Sequence, residues 1–435
     1  MHRSVVIFAA IFVSWGFLHN LPAHSATPQK NVEQLTQDLK ARPKSWEILR
    51  ARSQAYLLRA QPKEALEDLN LALRLQPGHA QMLAERAQVL SKLGEHKLAL
   101  ADLDQAVKLQ PKINAHLVQR SYVLMDLRQH RRAIQDLDLA LRMNHKDALA
   151  WAARSVAYSE LQDFASALRD ADQALSLQPD LATAYFVRGH GHTLNGDYAK
   201  AEADLDQAVS LDPNNAYFWT ERGYLFEKMA RYPEARDGYT RALQLDPARG
   251  LTYTSRGGVY LQLHDYSKAL EDYNKAIQLL PREPRAWIGR GYAYHGLKRL
   301  DLSMADFGQA IALDPTLAEA YYGRGLVRHL TVQYDDAIAD LSKAIELNPE
   351  YLFAYMERAS VHEKRSQWVR ALADYDQAIR ISPRYAQAHL DRGHARVANG
   401  QKEEGLADMR TAVELSPNLE FKETALRALR EAETP

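Results

Sequence analysis

Apolar positions along the chain follow one pattern that repeats without a slip. In residues 216–249, Phe218, Trp219, Gly223 and Phe226 lie at helical spacing, and Ala235, Tyr239, Ala242 and Leu243 mark the face of a second helix. Pro233 opens that second helix, where a missing N–H costs nothing, and Asp246-Pro247 stops it. The pattern recurs every 34 residues, punctuated by prolines at 43, 77, 111, 179, 213, 247, 281, 315, 349, 383 and 417; His145 stands at the one missing place. The spacing predicts eleven helical hairpins, 46–79, 80–113, 114–147, 148–181, 182–215, 216–249, 250–283, 284–317, 318–351, 352–385 and 386–419. Two helices of about 13 residues cannot bury their apolar faces alone, so the hairpins must stack as an all-α solenoid.

Small residues show how tightly they stack. Alanine holds one place in every repeat, from Ala72 and Ala106 through to Ala412, and nearly every copy of a second place, where Ser303 and Gly405 are the exceptions. A third place is Gly189, Gly223, Gly257, Gly291, Gly325 and Gly393. Glycine weakens a helix interior by about 1 kcal/mol relative to alanine, so its recurrence points to close helix–helix approach. With Trp151, Tyr185, Trp219 and Trp287, the period and the terminal proline, the pattern resembles the tetratricopeptide repeat over residues 46–419. The resemblance implies a right-handed superhelix whose first helices line a concave groove, binding of peptides or proteins there, and no catalytic activity of its own. The first three repeats depart from it, with Leu49, Leu83 and Leu117 for the aromatic and Ser53, Ala87 and Ser121 for the glycine. Val32, Leu35 and Leu39 predict a capping helix within 26–45, and Leu419, Leu426 and Leu429 one over the C-terminal 420–435.

Every repeat has arginine at one place, from Arg52 to Arg392, and ten of the eleven have aspartate sixteen residues later; Gly238 is the exception. Folding a hairpin brings such residues level. An anion-binding ladder and a structural ion pair are the two readings, and recurrence in every hairpin favours the second, because an architecture needs eleven copies and a site does not.

On each first helix a stripe at three-to-four spacing stays outside these columns, and it differs between repeats. It is polar or small early, with Gln54 and Gln88, and becomes aromatic later. The candidates for a partner-binding groove are Tyr122, Phe186, Tyr217, Tyr224, Tyr292, Tyr322 and Phe353. Exposed aromatics mark contact surfaces; the alternative is that they pack on one another. Arg50 and Arg285 are the only basic residues in the stripe, too far apart for the carboxylate clamp that some relatives use. His295, His329 and Glu363 follow one line, but adjacent helices stand about 8–10 Å apart and no close metal-binding spacing exists, so no metal is expected.

Composition narrows the function. The 435 residues carry 55 basic and 55 acidic side chains, which gives no basic footprint for nucleic acid. Absent cysteine excludes disulfides, thiolate zinc sites and thiol nucleophiles. No nucleotide-binding or nucleophile–base motif occurs and the unbroken register leaves no segment for a catalytic domain, so neither an enzyme nor a cofactor is expected. The N-terminus is basic at Arg3, apolar from Val5 to Leu18, and small around Ser25/Ala26. That predicts a signal peptide over residues 1–25, cleaved or retained as an anchor. No second such run follows, so no membrane span is expected in the mature chain. With no cysteine and no Asn-X-Ser/Thr sequon, the bacterial periplasm is the expected compartment. The expectation is an exported scaffold for a protein or peptide partner in an envelope or secretion assembly. The alternative is a carbohydrate-binding accessory protein whose groove aromatics stack on sugars.

Overall fold

The computed structural model describes residues 31–433. The basic and apolar N-terminal segment, with the Ser25/Ala26 bond, lies outside the described residues. The chain divides into two compact units, the first ending at Ala230 and the second beginning at Arg231. Unit 1 holds α1 (Val32–Ala41), the hairpins α2/α3 (Trp46–Leu58, Pro62–Leu75), α4/α5 (Ala80–Lys92, His96–Leu109), α6/α7 (Asn114–Asp126, His130–Met143), α8/α9 (Ala148–Glu160, Phe164–Leu177) and α10/α11 (Ala182–Asn195, Tyr198–Leu211), and α12 (Ala216–Lys228). Unit 2 holds α13 (Tyr232–Leu245), the hairpins α14/α15 (Gly250–Gln262, Tyr266–Leu279), α16/α17 (Pro284–Gly296, Leu300–Leu313), α18/α19 (Ala318–Leu330, Tyr334–Leu347), α20/α21 (Leu352–Lys364, Trp368–Ile381) and α22/α23 (Ala386–Ala398, Lys402–Glu414), and α24 (Leu419–Glu433). Within each unit, successive first helices approach one another more closely than successive second helices, so the first helices line the inner face.

The second helices from α3 to α21 end in one way. Gln76, Gln110, Asp246, Asp314 and their counterparts donate their N–H to the column alanine four residues earlier, and their own backbone turns extended. A following proline forbids the helical region to the residue before it. Asn144 has the same geometry, φ −143° and ψ 92°, although His145 follows. Its side-chain oxygen accepts the Lys146 N–H at 3.1 Å, the same Asx turn that Asp212, Asp246, Asp314 and Asn348 make before a proline, so the corner keeps its shape without the ring. The aromatic of the first helix is tied to the same corner. Trp151, Trp219 and Trp287 donate Nε1–H to the carbonyl six residues earlier, at 2.9, 2.9 and 3.1 Å. His389, which takes that place in the last hairpin, has Nε2 3.0 Å from the Pro383 carbonyl.

Gly189, Gly257, Gly291 and Gly325 are small because the next helix fills their space. A Cβ on them would stand 2.8–3.0 Å from the side chains of Leu205, Tyr273, Phe307 and Leu341. Gly393 and Gly405 face each other, and each added Cβ would meet the other's carbonyl oxygen, at 2.9 and 2.7 Å. Ser303 stands in an alanine column by donating its hydroxyl to the Gly291 carbonyl at 2.7 Å.

One residue after each first helix is left-handed, and the place repeats with the 34-residue period from Ala60 to Gly400. Only Gly94, Gly196 and Gly400 are glycine there. Val332, with φ 61°, is the sole β-branched residue at that place, and its side chain is largely exposed. A left-handed L-residue costs roughly 1–2 kcal/mol, and little packing is lost on truncation here. Val332→Gly is therefore expected to raise unfolding stability by about 0.5–1 kcal/mol. Denaturant unfolding checks it, and unchanged or lower stability refutes strain at this turn.

Candidate functional site

The arginine column is architecture. Arg52, Arg86, Arg120, Arg188, Arg256, Arg290, Arg324, Arg358 and Arg392 each donate Nε–H and Nη2–H to both oxygens of the aspartate sixteen residues on, at 2.6–2.9 Å; Arg154 does the same to Asp170 at 2.6 and 3.0 Å. All ten aspartates are buried. The remaining nitrogen, Nη1, reaches back sixteen residues to the preceding second helix, as with Asn70, Asp138, Thr240 and Ser342. Gly308 offers Arg324 no side chain at that place. From Arg154 to Arg358 the guanidinium also lies over the aromatic three residues earlier, 4.6 Å from the Trp151 ring centroid and 5.7 Å from that of Tyr253. The ten forked arginines thus have no fork free for an anion, and those with a backward partner join two repeats.

The groove candidates separate. In unit 1, Phe186 is fully buried and stacks on Phe218 at 5.0 Å. It is a core residue, not a surface one, because the following first helix supplies a ring of matching size. Tyr122 and Tyr217 are half-buried against the same core. Tyr224 lies under Lys228, whose Nζ is 5.0 Å from the ring centroid, and burial pushes its phenol up to about 12, with Glu221 and Glu227 adding to the shift. Acidic residues on this face already hold partners: Glu85 takes Arg50 at 2.5 Å and Glu221 takes His190 at 2.7 Å.

Unit 2 brings its candidates together. Tyr292 packs edge-on against Phe307 at 5.0 Å and lies near Tyr351. Tyr322 lies 5.1 Å from Tyr351, and Phe353, half exposed, lies 6.1 Å from Tyr385. Burial raises the Tyr292 phenol well above its ordinary value and pushes Tyr322 up to about 12. Carboxylates frame these rings. Desolvation on the inner face raises Glu319, and the more distant charge of Arg285 only partly opposes it. Glu357 meets His329 Nδ1 at 2.5 Å. Burial lifts Glu363 to about 7 against a hydrogen bond from Tyr375, and lifts Asp391 to about 6 against one from Gln387.

His295, His329 and Glu363 do not converge: His329 turns to Glu357, and burial, assisted by Lys298, lowers His295. Among the described residues no three histidine or acidic side chains gather around one point, and no helix is long and apolar enough to cross a membrane. Five members of the unit 2 site carry no mark in the stripe's aromatic pattern, and Glu319 is the one of them that lies on the stripe. Tyr351 and Tyr385 sit just before a first helix rather than on its stripe, and Glu357 and Asp391 sit one place beyond a stripe position. Their signal is tandem recurrence, one aromatic and one acid at matching places in neighbouring repeats.

Comparison with known proteins agrees with this geometry. Models described as tetratricopeptide repeat match residues 80–113, 148–181 and 284–317, 182–215, 205–237, 318–351 and 356–420, and a further TPR repeat model matches 257–298. The chain is built of tetratricopeptide repeats. No curated protein sequence matches it. Among solved structures, a chain of the APC/C hetero-tetramer Cut9–Hcn1 is 15% identical, covering 92% of both chains with a TM-score of 0.55, and shows the same all-helical solenoid fold. A tetratricopeptide repeat protein from Parabacteroides merdae is 23% identical over 57% of this chain and 98% of its own, with a TM-score of 0.49. Yeast Tom70 is 16% identical over 89% and 95%, with a TM-score of 0.47.

Proposed function

We propose that this chain is a non-enzymatic interaction scaffold that holds a protein or peptide segment against the inner face of unit 2. One observation carries the reading: Tyr292, Tyr322, Tyr351, Phe353 and Tyr385 gather on consecutive first helices and their starts, with Phe353 half exposed. Architecture accounts for the alanine, glycine and arginine columns but not for this aromatic strip. The N-terminal basic, apolar and small-residue pattern supports export, with the periplasm as the compartment and an envelope or secretion assembly as the setting. The carbohydrate reading gains nothing here, since the ring pairs are tilted or edge-on, at 74°, 45° and 90°, and present no coplanar platform to a sugar.

The test is cross-linking in the source cells followed by mass spectrometry of the recovered protein. A mature N-terminus at Ala26 is expected, with partner cross-links mapping to α18, α20 and α22. Tyr322→Ala and Phe353→Ala should each weaken the partner about tenfold or more with helicity unchanged, because binding energy concentrates in aromatic anchors. Phe353 is the cleaner probe, since its ring is half exposed. Cross-links confined to second helices, or binding indifferent to both variants, would remove the groove; an intact Met1 on a cytoplasmic protein would remove export.

A further inference from the structure

Acidic side chains elsewhere in unit 2 show what the inner face lacks. Asp272, Asp306, Asp340, Asp374 and Asp408 are buried, and each is held by an arginine fork. Glu319, Glu357, Glu363 and Asp391 are treated differently. Among the described residues none of the four is ion-paired with lysine or arginine. Glu319 has Arg285 only at longer range, Glu357 has the imidazole of His329, Glu363 a phenol hydroxyl and Asp391 a carboxamide. Three of them stand beside tyrosines of the aromatic strip, Glu319 next to Tyr292 and Tyr351, Glu357 next to Tyr322, and Asp391 next to Tyr385, while Glu363 meets Tyr375 of α21. Glu319 is exposed on this face and the other three are half-buried; a half-buried carboxylate without a cation is costly, whereas the fully buried column aspartates of unit 2 each receive a guanidinium.

We propose that the missing cations come from the occupant, and that the inner face of α16, α18, α20 and α22 docks an extended basic peptide segment whose lysine or arginine side chains reach these four carboxylates and the tyrosine oxygens between them. The inference rests on the scaffold reading above and names its partner class. Charge complementarity chooses this occupant over an acidic or neutral one, because a second set of carboxylates on this face would raise the cost already present. Of the equivalent acids of unit 1, Glu85 holds the guanidinium of Arg50, and Glu221, like Glu357, holds an imidazole.

A pH dependence follows, with its sign fixed by the raised groups. Glu363 and Asp391 take up protons near 7 and 6, so lowering the pH removes negative charge from the face and weakens a cationic ligand. The other charged or titratable groups here are Arg285, Lys298, Lys364, His295 and His329. The basic ones keep their positive charge over that range, and any histidine that protonates adds to it, so they oppose the ligand in the same direction. Because Glu319, Glu363 and Asp391 bind protons more readily in the native chain than in the unfolded one, their neutral isosteres should leave the fold as stable or more stable.

The experiment measures fluorescence anisotropy of the full chain with a labelled peptide of alternating lysine and alanine, beside glutamine–alanine and glutamate–alanine peptides. The lysine peptide should bind best. The triple variant Glu319→Gln, Glu357→Gln and Asp391→Asn should weaken it about tenfold or more, or 1.4 kcal/mol per tenfold. The triple variant Glu271→Gln, Asp301→Asn and Glu350→Gln, all exposed outside this face, should change it less than about twofold, as expected for screened surface charge. Affinity should fall between about pH 8 and 5.5 for the native chain and much less when Glu363→Gln and Asp391→Asn are combined. Equal losses from both triples, or no binding of the lysine peptide, overturn the proposal. If a neutral or acidic peptide binds instead and Tyr322→Ala abolishes that, the groove stands and its basic occupant falls. If no peptide depends on Tyr322 or Phe353, both readings fall.

Discussion

Replacing Arg256 with alanine is expected to destabilise the chain by about 3–5 kcal/mol, the loss typical when one partner of a buried ion pair is removed. Asp272 is only 4% exposed and accepts from both arms of the Arg256 guanidinium at 2.7 Å. Without the arginine that carboxylate must stay buried and uncompensated, take up a proton, or pull its helix open. The same side chain donates to Thr240 of the preceding second helix at 3.1 Å and lies over Tyr253 and Tyr260, at 5.7 and 5.8 Å from their ring centroids. Its loss therefore loosens both the hairpin and its stacking on the neighbour. Arg222 is the internal comparison. Gly238 stands at its fork place, and its Nε–H goes to the exposed Asp206 at 2.7 Å. Arg222→Ala should cost about 1 kcal/mol or less through that ion pair. Arg256→Met with Asp272→Leu should recover most of the single-variant loss, since an apolar pair of similar volume removes the orphaned charge. Denaturant unfolding gives the energies, and hydrogen exchange should place lost protection on α14, α15 and their neighbours. Equal effects of the Arg256 and Arg222 variants would mean that burial does not set the strength of these pairs.

The architecture was legible because it is written many times. The 34-residue period, the alanine and glycine columns and the sixteen-residue Arg–Asp offset each answer a constraint met by every hairpin, so a single sequence displays them repeatedly. The left-handed turn residue occupies an equally regular place, yet it stayed hidden because Ala60, Arg128, Gln162 and Val332 carry no chemical mark of a positive φ. The backward bond from arginine Nη1 was obscured for a related reason: Asn70, Asp104, Thr240 and Ser342 share a role but not a residue type. The site was legible only in part. Helical spacing identifies which side of a helix a residue occupies, but burial on that side depends on the size of the facing residue. Phe186 meets Phe218 and is sealed, whereas Phe353 is left half exposed beside Tyr385. Tyr351 and Tyr385 enter from the preceding loop, where no helical period applies.

Phe307 joins this core to the site. Its ring is fully buried and fills space left by two glycines: a Cβ on Gly291 would lie 3.0 Å from it, and one on Gly323 only 2.3 Å. It also packs edge-on against Tyr292 at 5.0 Å. Phe307→Ala is expected to cost about 3–5 kcal/mol, the range for emptying an aromatic site in a core. Gly323→Ala alone should also destabilise, by about 1–3 kcal/mol, because its methyl overlaps a ring closed in on every side. The informative result is the combination. Once the ring is gone the added methyl has room, and alanine is better than glycine in a helix by about 1 kcal/mol. Gly323→Ala should therefore change sign, from destabilising in the native background to stabilising beside Phe307→Ala. Four thermal or denaturant curves decide it; additive effects would show that the ring and the missing methyl do not share one space. A reversal would also have a functional reading. With Phe307 absent, Tyr292 loses the edge that orients it toward Tyr351, so partner binding should fall in the single variant and stay low in the stabilised double. That outcome would separate the stability of the repeats, which the methyl restores, from the placement of the groove aromatics, which only the ring supplies.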